Sequence, residues 1–217
     1  MSRPRSRLIV AAPLFAILAS PLVAETFHAD VWADNWFEMR IDGRKVAEDS
    51  EPITQERSFN AESFTFSADR PFMIGVIAKD FIANDTGLEY IGTDRQQMGD
   101  GGLILQIRDA EDKTVAVSDD SWQCLTIHRA PLDKSCASEE SPVAGSAPCG
   151  FEELEEPIGW DHVGFDASGW EQASVYSADE VSPKGGYDEI DWAEEAQLVW
   201  GDDLEQSNTL LCRFTVE

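Results

Sequence analysis

Between residues 31 and 41 the side chains alternate in character. Val31, Ala33, Phe37, Met39 and Ile41 fall on one side of an extended chain, and Trp32, Asp34, Trp36, Glu38 and Arg40 fall on the other. A period of two is the signature of a half-buried strand, because successive Cβ atoms point to opposite faces. The segment runs into Asp42-Gly43, a pair that accepts the positive φ of a tight hairpin turn, and returns through Arg44-Lys45-Val46. Two tryptophans, Trp32 and Trp36, thus stand on the face expected to meet water.

Similar short runs recur along the chain. Residues 58–66 alternate around Phe64 and Phe66, and residues 72–79 (FMIGVIAK) are almost continuously apolar, as a central strand is. Further strands are predicted over 103–107, 114–117, 122–127, 196–200 and 209–216. Polar turns separate them, two long loops cover 80–102 and 130–159, and the longest helical pattern is a short one at 193–196. Short strands, frequent turns and no crossover helices predict an all-β fold, an antiparallel β-sandwich or jelly roll.

The chain opens with Arg3, Arg5 and Arg7, an apolar run over 8–22, and Ala24 as a small residue for cleavage. This pattern predicts a signal peptide over residues 1–24, a single domain over 25–217, and a periplasmic or secreted location. No other segment approaches the ~20 apolar residues of a membrane span. The formal net charge of −26 disfavours nucleic acid and anionic lipid, and suits cations or basic partners. Four cysteines in an exported chain imply disulfides. Three connectivities are possible; the favoured one is Cys136–Cys149, which would staple the Pro/Ser/Ala-rich loop, with Cys124–Cys212, which would tie two strands. A zinc site is disfavoured because no C-x-x-C pair occurs.

The order of motifs resembles the galactose-binding-like β-sandwich family, jelly-roll modules that accompany many glycoside hydrolases. The resemblance rests on Phe37 through Asp42-Gly43-Arg44-Lys45-Val46, on Gly101-Gly102 through Ser118-Asp119-Asp120-Ser121-Trp122, and on Phe165-Asp166-Ala167-Ser168-Gly169-Trp170 through Ala173. It implies a non-catalytic accessory module, a carbohydrate ligand and a bound Ca²⁺. No attached hydrolase domain is expected, and both long loops depart from the family pattern.

Sugars stack on aromatic faces, so Trp32, Trp36, Tyr90, Trp160 and Trp192 are the candidate ligand-binding residues. At least one of Trp32 and Trp36 is expected to be more than a third exposed. Trp122 and Trp170 sit in the fold-associated motifs and are expected in the core. Oxygen-rich residues of the 80–102 loop, Asp80, Asn84 and Asp85, are the candidate calcium ligands, although no EF-hand pattern is present. No nucleophile elbow, H-E-x-x-H or Walker motif occurs, so no catalytic residues are assigned. Two other readings remain: an acidic envelope protein that binds a protein partner, and a metal-dependent protein.

Overall fold

A computed structural model describes residues 24–57 and 60–217. The expected signal peptide lies outside the described residues except for Ala24. Fifteen strands follow in chain order: β1 (Glu25–Asp34), β2 (Trp36–Ile41), β3 (Arg44–Glu48), β4 (Ala61–Ala68), β5 (Phe72–Lys79), β6 (Leu88–Glu89), β7 (Gln97–Met98) and β8 (Gly102–Arg108), then β9 (Thr114–Val117), β10 (Gln123–Arg129), β11 (Glu152–Glu153), β12 (Glu171–Gln172), β13 (Ser174–Tyr176), β14 (Leu198–Trp200) and β15 (Ser207–Val216). One sheet runs β13-β14-β8-β1-β4, with β9 beside β8. The other runs β11-β10-β15-β5-β2-β3, with β12 beside β10. All pairings are antiparallel. The predicted all-β sandwich is what forms.

The main core lies between the two sheets. Phe27, Val31 and Leu105 come from one side and Phe37, Met39, Val76 and Leu210 from the other, all fully buried. Trp122 joins them, stacked on Phe214 with ring centroids 5.6 Å apart. The hairpin after β2 forms as read, with Asp42 at φ 47° and Gly43 at φ 78°. Both disulfides have the expected pairing. Cys124–Cys212 links directly opposed residues of β10 and β15, and Cys136–Cys149 closes the 130–150 excursion.

Three expectations are corrected. Residues 31–41 are two strands rather than one: β1 belongs to the first sheet and β2 to the second, and the chain changes layer at Asn35. The 80–102 loop carries its own small hairpin, β6 with β7. The short helix is α1 (Ala178–Val181), not 193–196. It is fixed by a reciprocal capping box between Ser177 and Glu180, a pairing that satisfies the orphan amides of a first turn.

The outer faces of both sheets are also covered. Over the first sheet, Trp32, Ile104, Val181 and Leu198 form a second apolar cluster, roofed by half-buried Tyr187 and Trp192. Over the second, Trp160 packs with Ile77 and Leu211, and half-buried Trp36, Phe165 and Trp170 close around it. The alternation rule placed Trp32 and Trp36 correctly on the outward faces. Outward does not mean wet here, because long-range loops lie on top.

Candidate metal centre

The pairing of β1 with β8 sets Asp34 opposite Gly102, and the pairing of β2 with β5 sets Trp36 opposite Lys79. The step between sheets therefore brings three chain segments to one corner: the end of β1, the residue after β5, and the residues before β8. Asn35 fastens the corner. Its backbone amide donates to Lys79 O at 2.7 Å, and its Oδ1 accepts from the Phe81 amide at 2.6 Å. Asp34, Asp80 and Asp100 converge as a result, and β6 adds Glu89.

Carboxylate oxygens of Asp80, Glu89 and Asp100 all lie within 4.8 Å of one another. Asp34 is coupled to the same group by charge. Asp34 is 0% exposed and Asp80 2%, and none of their four carboxylate oxygens closes a hydrogen bond. Burial, with Asp100 and Glu89 nearby, pushes the Asp34 carboxyl up to about 8. Burial and the surrounding acids hold Asp80 well above the usual carboxylate range; the Asn208 amide is near enough to lower it without closing a well-formed bond. Burial raises Glu89 to about 7, against a hydrogen bond from Gln97 Nε2 at 2.9 Å. The cation at this corner is Lys184, whose Nζ is 3.3 Å from Asp100 Oδ2.

Unpaired buried carboxylates are costly, since desolvation is not repaid by any donor. A divalent cation removes that cost. The donor set is entirely carboxylate oxygen, without His or Cys, which suits a hard ion over zinc or copper. Oxygens separated by up to 4.8 Å fit within one calcium shell, whose Ca–O bonds are about 2.3–2.6 Å. Asp80, Glu89 and Asp100 are the residues that would hold it, with Asp34 buried beside them.

The backbone is shaped to the site. A Cβ on Gly99 would stand 1.8 Å from Asp80 Oδ2, so only glycine allows that carboxylate its place. Gly99→Ala is expected to displace the Asp80 carboxylate and weaken calcium binding by roughly 10–100-fold, the usual penalty for disturbing what orients a ligand. Calorimetric titration of the two proteins checks this.

Of the expected ligand set, Asp80 is in the group. Asn84 and Asp85 are exposed: Asn84 Oδ1 accepts from the Thr86 amide, and Asp85 faces His128 at 3.6 Å. Asp100 shares the acidic 80–102 loop with Asp80, and the acids at this corner that sequence reasoning did not single out are Asp34 and Glu89. The four are spread from position 34 to position 100 with no local spacing motif, and only strand register unites them.

The aromatic candidates also move. Trp32 is 0% exposed, contrary to expectation, and its Nε1 donates to Lys184 O at 2.8 Å and Gly185 O at 3.0 Å. It thereby anchors the segment that carries Lys184 to the acidic corner. Trp160 is fully buried, with Nε1 bonded to Glu156 Oε1 at 2.6 Å. Trp36 is half-buried, with the Lys79 ammonium 5.2 Å from its ring centroid. Trp192 is half-buried against Tyr187. Tyr90 borders a cavity beside the acidic group. Trp170, expected in the core, is half-buried on the outer face of the second sheet.

Fold and site together define a two-sheet β protein with a buried carboxylate centre at the corner between its layers. Comparison with protein-family models, curated proteins and solved structures gives no match.

Proposed function

We propose that this protein is an exported, non-catalytic binding module that depends on a calcium ion held by Asp80, Glu89 and Asp100 beside the buried Asp34. The observation that carries this reading is the pair of buried aspartates, Asp34 and Asp80, whose four oxygens have no hydrogen-bond partner. Two disulfides and the charge of −26 support an exported protein in a calcium-containing medium. The ion would join the end of β1, the segment after β5 and the approach to β8, so it would order the loops from which a ligand is bound. Sugar stacking on Trp32 or Trp160 has no exposed ring to use. Of the aromatic candidates, Tyr90 is the one set at a cavity next to the centre.

The test is calcium titration of metal-free protein at two pH values. Asp34 at about 8, and Glu89 and Asp49 at about 7, lie far above the unfolded range near 4. Asp49, outside the centre, is raised by burial and by Glu62 and Glu51. A carboxyl raised by folding binds more protons folded than unfolded, so the metal-free protein loses stability as pH rises from about 4 toward 8. After discounting for water admitted by an empty cluster, a loss of about 2 kcal/mol is expected, or ~4–8 °C in Tm. Calcium must displace these protons, so its affinity rises over the same window. Absence of saturable calcium binding at pH 8 would sink the proposal.

A further inference from the structure

An open cavity of about 490 Å³ lies against the carboxylate centre and shares Glu89 and Asp100 with it. Its size is that of a small-molecule site, a class that spans about 300–1,000 Å³. Lysine and arginine number only 16 in this chain against 42 acids. Three of those cations, Arg57, Arg95 and Lys184, nevertheless border this one cavity.

Part of the rim is built rather than loose. Tyr90 holds φ at 49°, in the left-handed region that a tyrosine rarely occupies. Such strain persists only where neighbouring contacts over-determine it. Here the Thr93 amide and hydroxyl both donate to Tyr90 O, at 3.1 and 2.7 Å. Gln96 Nε2 then ties the turn to Ala137 O and Glu139 O, at 3.0 and 2.8 Å. The Arg95 guanidinium lies 4.2 Å from the Tyr90 ring centroid, where cation–π attraction holds it to the ring.

The charges imply an ion-dependent preference. Without a cation, the buried acids hold protons, Glu56 and Asp100 oppose the three basic groups around the cavity, and a ligand hydroxyl has no ion to reach. A divalent ion among the four carboxylates brings acids and bases into balance. Arginine then offers a planar fork that matches a carboxylate, while a calcium shell of six to eight oxygens has room for ligand hydroxyls.

We infer that this cavity is a binding site for a small hydroxycarboxylate, whose carboxylate meets Arg95 and Arg57 and whose hydroxyls reach the ion. The inference deepens the calcium reading above and rests on it. A sugar acid and a free hydroxy acid present the same chemistry.

The test is saturation-transfer NMR on the full chain, calcium-loaded and metal-free, with D-galacturonate, D-lactate and D-galactose as probes. Galacturonate differs from galactose by a carboxylate in place of the terminal hydroxymethyl group. Calcium-loaded protein is expected to bind galacturonate at least about tenfold better than galactose, as a charge-assisted bidentate contact predicts. The signal should vanish from metal-free protein and fall in both Arg95→Ala and Arg57→Ala. A lactate signal equal to that of galacturonate assigns the site to hydroxy acids in general, and a weaker one assigns it to sugar acids. Equal binding of galactose, or undiminished galacturonate binding without calcium or in both arginine variants, overturns the inference. Calorimetry on the same sample separates the two ideas. Calcium binding with no acid signal sinks the ligand alone, and no calcium binding sinks the calcium reading as well.

Discussion

Asp80→Asn is expected to raise the melting temperature of the metal-free protein at pH 8 and to erase the further rise that calcium gives the unsubstituted chain. The amide is isosteric with the carboxylate, so packing against Gly99 is unchanged. It removes one of four crowded carboxyl groups at a site where Asp80 is 2% exposed and unpaired. Breaking up such a group relieves a desolvation cost that nothing else offsets. In the unsubstituted protein, calcium at about 1,000 times its Kd adds ~4 kcal/mol, or ~8–16 °C for a chain of this size. The variant lacks a central ligand and should keep little of that increment. Differential scanning calorimetry with and without calcium distinguishes this from a purely structural role: a variant that melts lower and still responds fully to calcium would exclude Asp80 as a ligand.

Replacing Cys124 and Cys212 together with alanine is expected to cost about 4–5 kcal/mol, because that link closes a span of 88 residues in the chain-entropy account of disulfides. The corresponding change at Cys136 and Cys149, which are 13 residues apart, is expected to cost about 3 kcal/mol. Position adds to the difference. Cys124 and Cys212 belong to the main core between the sheets, whereas Cys136 and Cys149 pack with Leu88 in a small satellite cluster. Urea midpoints of the two double variants measure the order, and a greater loss from the short link would contradict it.

Strand existence was legible because it depends on local patterning. The inward residues of β1 and β2, the Asp42-Gly43 hairpin and the apolar β5 all follow from side-chain period and turn chemistry. Even the break between β1 and β2 left a trace: Asn35 is the polar residue in an otherwise apolar inward register, and it sits where the chain changes sheet. The disulfide pairing was legible from loop and strand placement.

What covers the outer faces was not legible. Trp32 is buried by residues near 181–198, and Trp160 lies against Ile77 and Leu211. No local pattern records contacts over such separations. The acidic centre was hidden for a second reason. With 42 acidic residues, composition cannot distinguish a carboxylate held dry at a corner from one in water. The proximity of Asp80 to other oxygen-bearing loop residues pointed to Asn84 and Asp85, while register brings Asp34 from the opposite sheet.

The layer change at Asn35 has a consequence for how this chain can vary. A residue that joins two layers normally answers only to packing, and a residue that binds an ion normally answers only to affinity. At this corner Asp34 precedes the crossing and Asp80 immediately follows the strand that receives it. Substitutions that retune the proposed ion site therefore also re-set how the sheets meet. On the calcium reading, shape and affinity are a single inherited trait here, and neither can drift far alone.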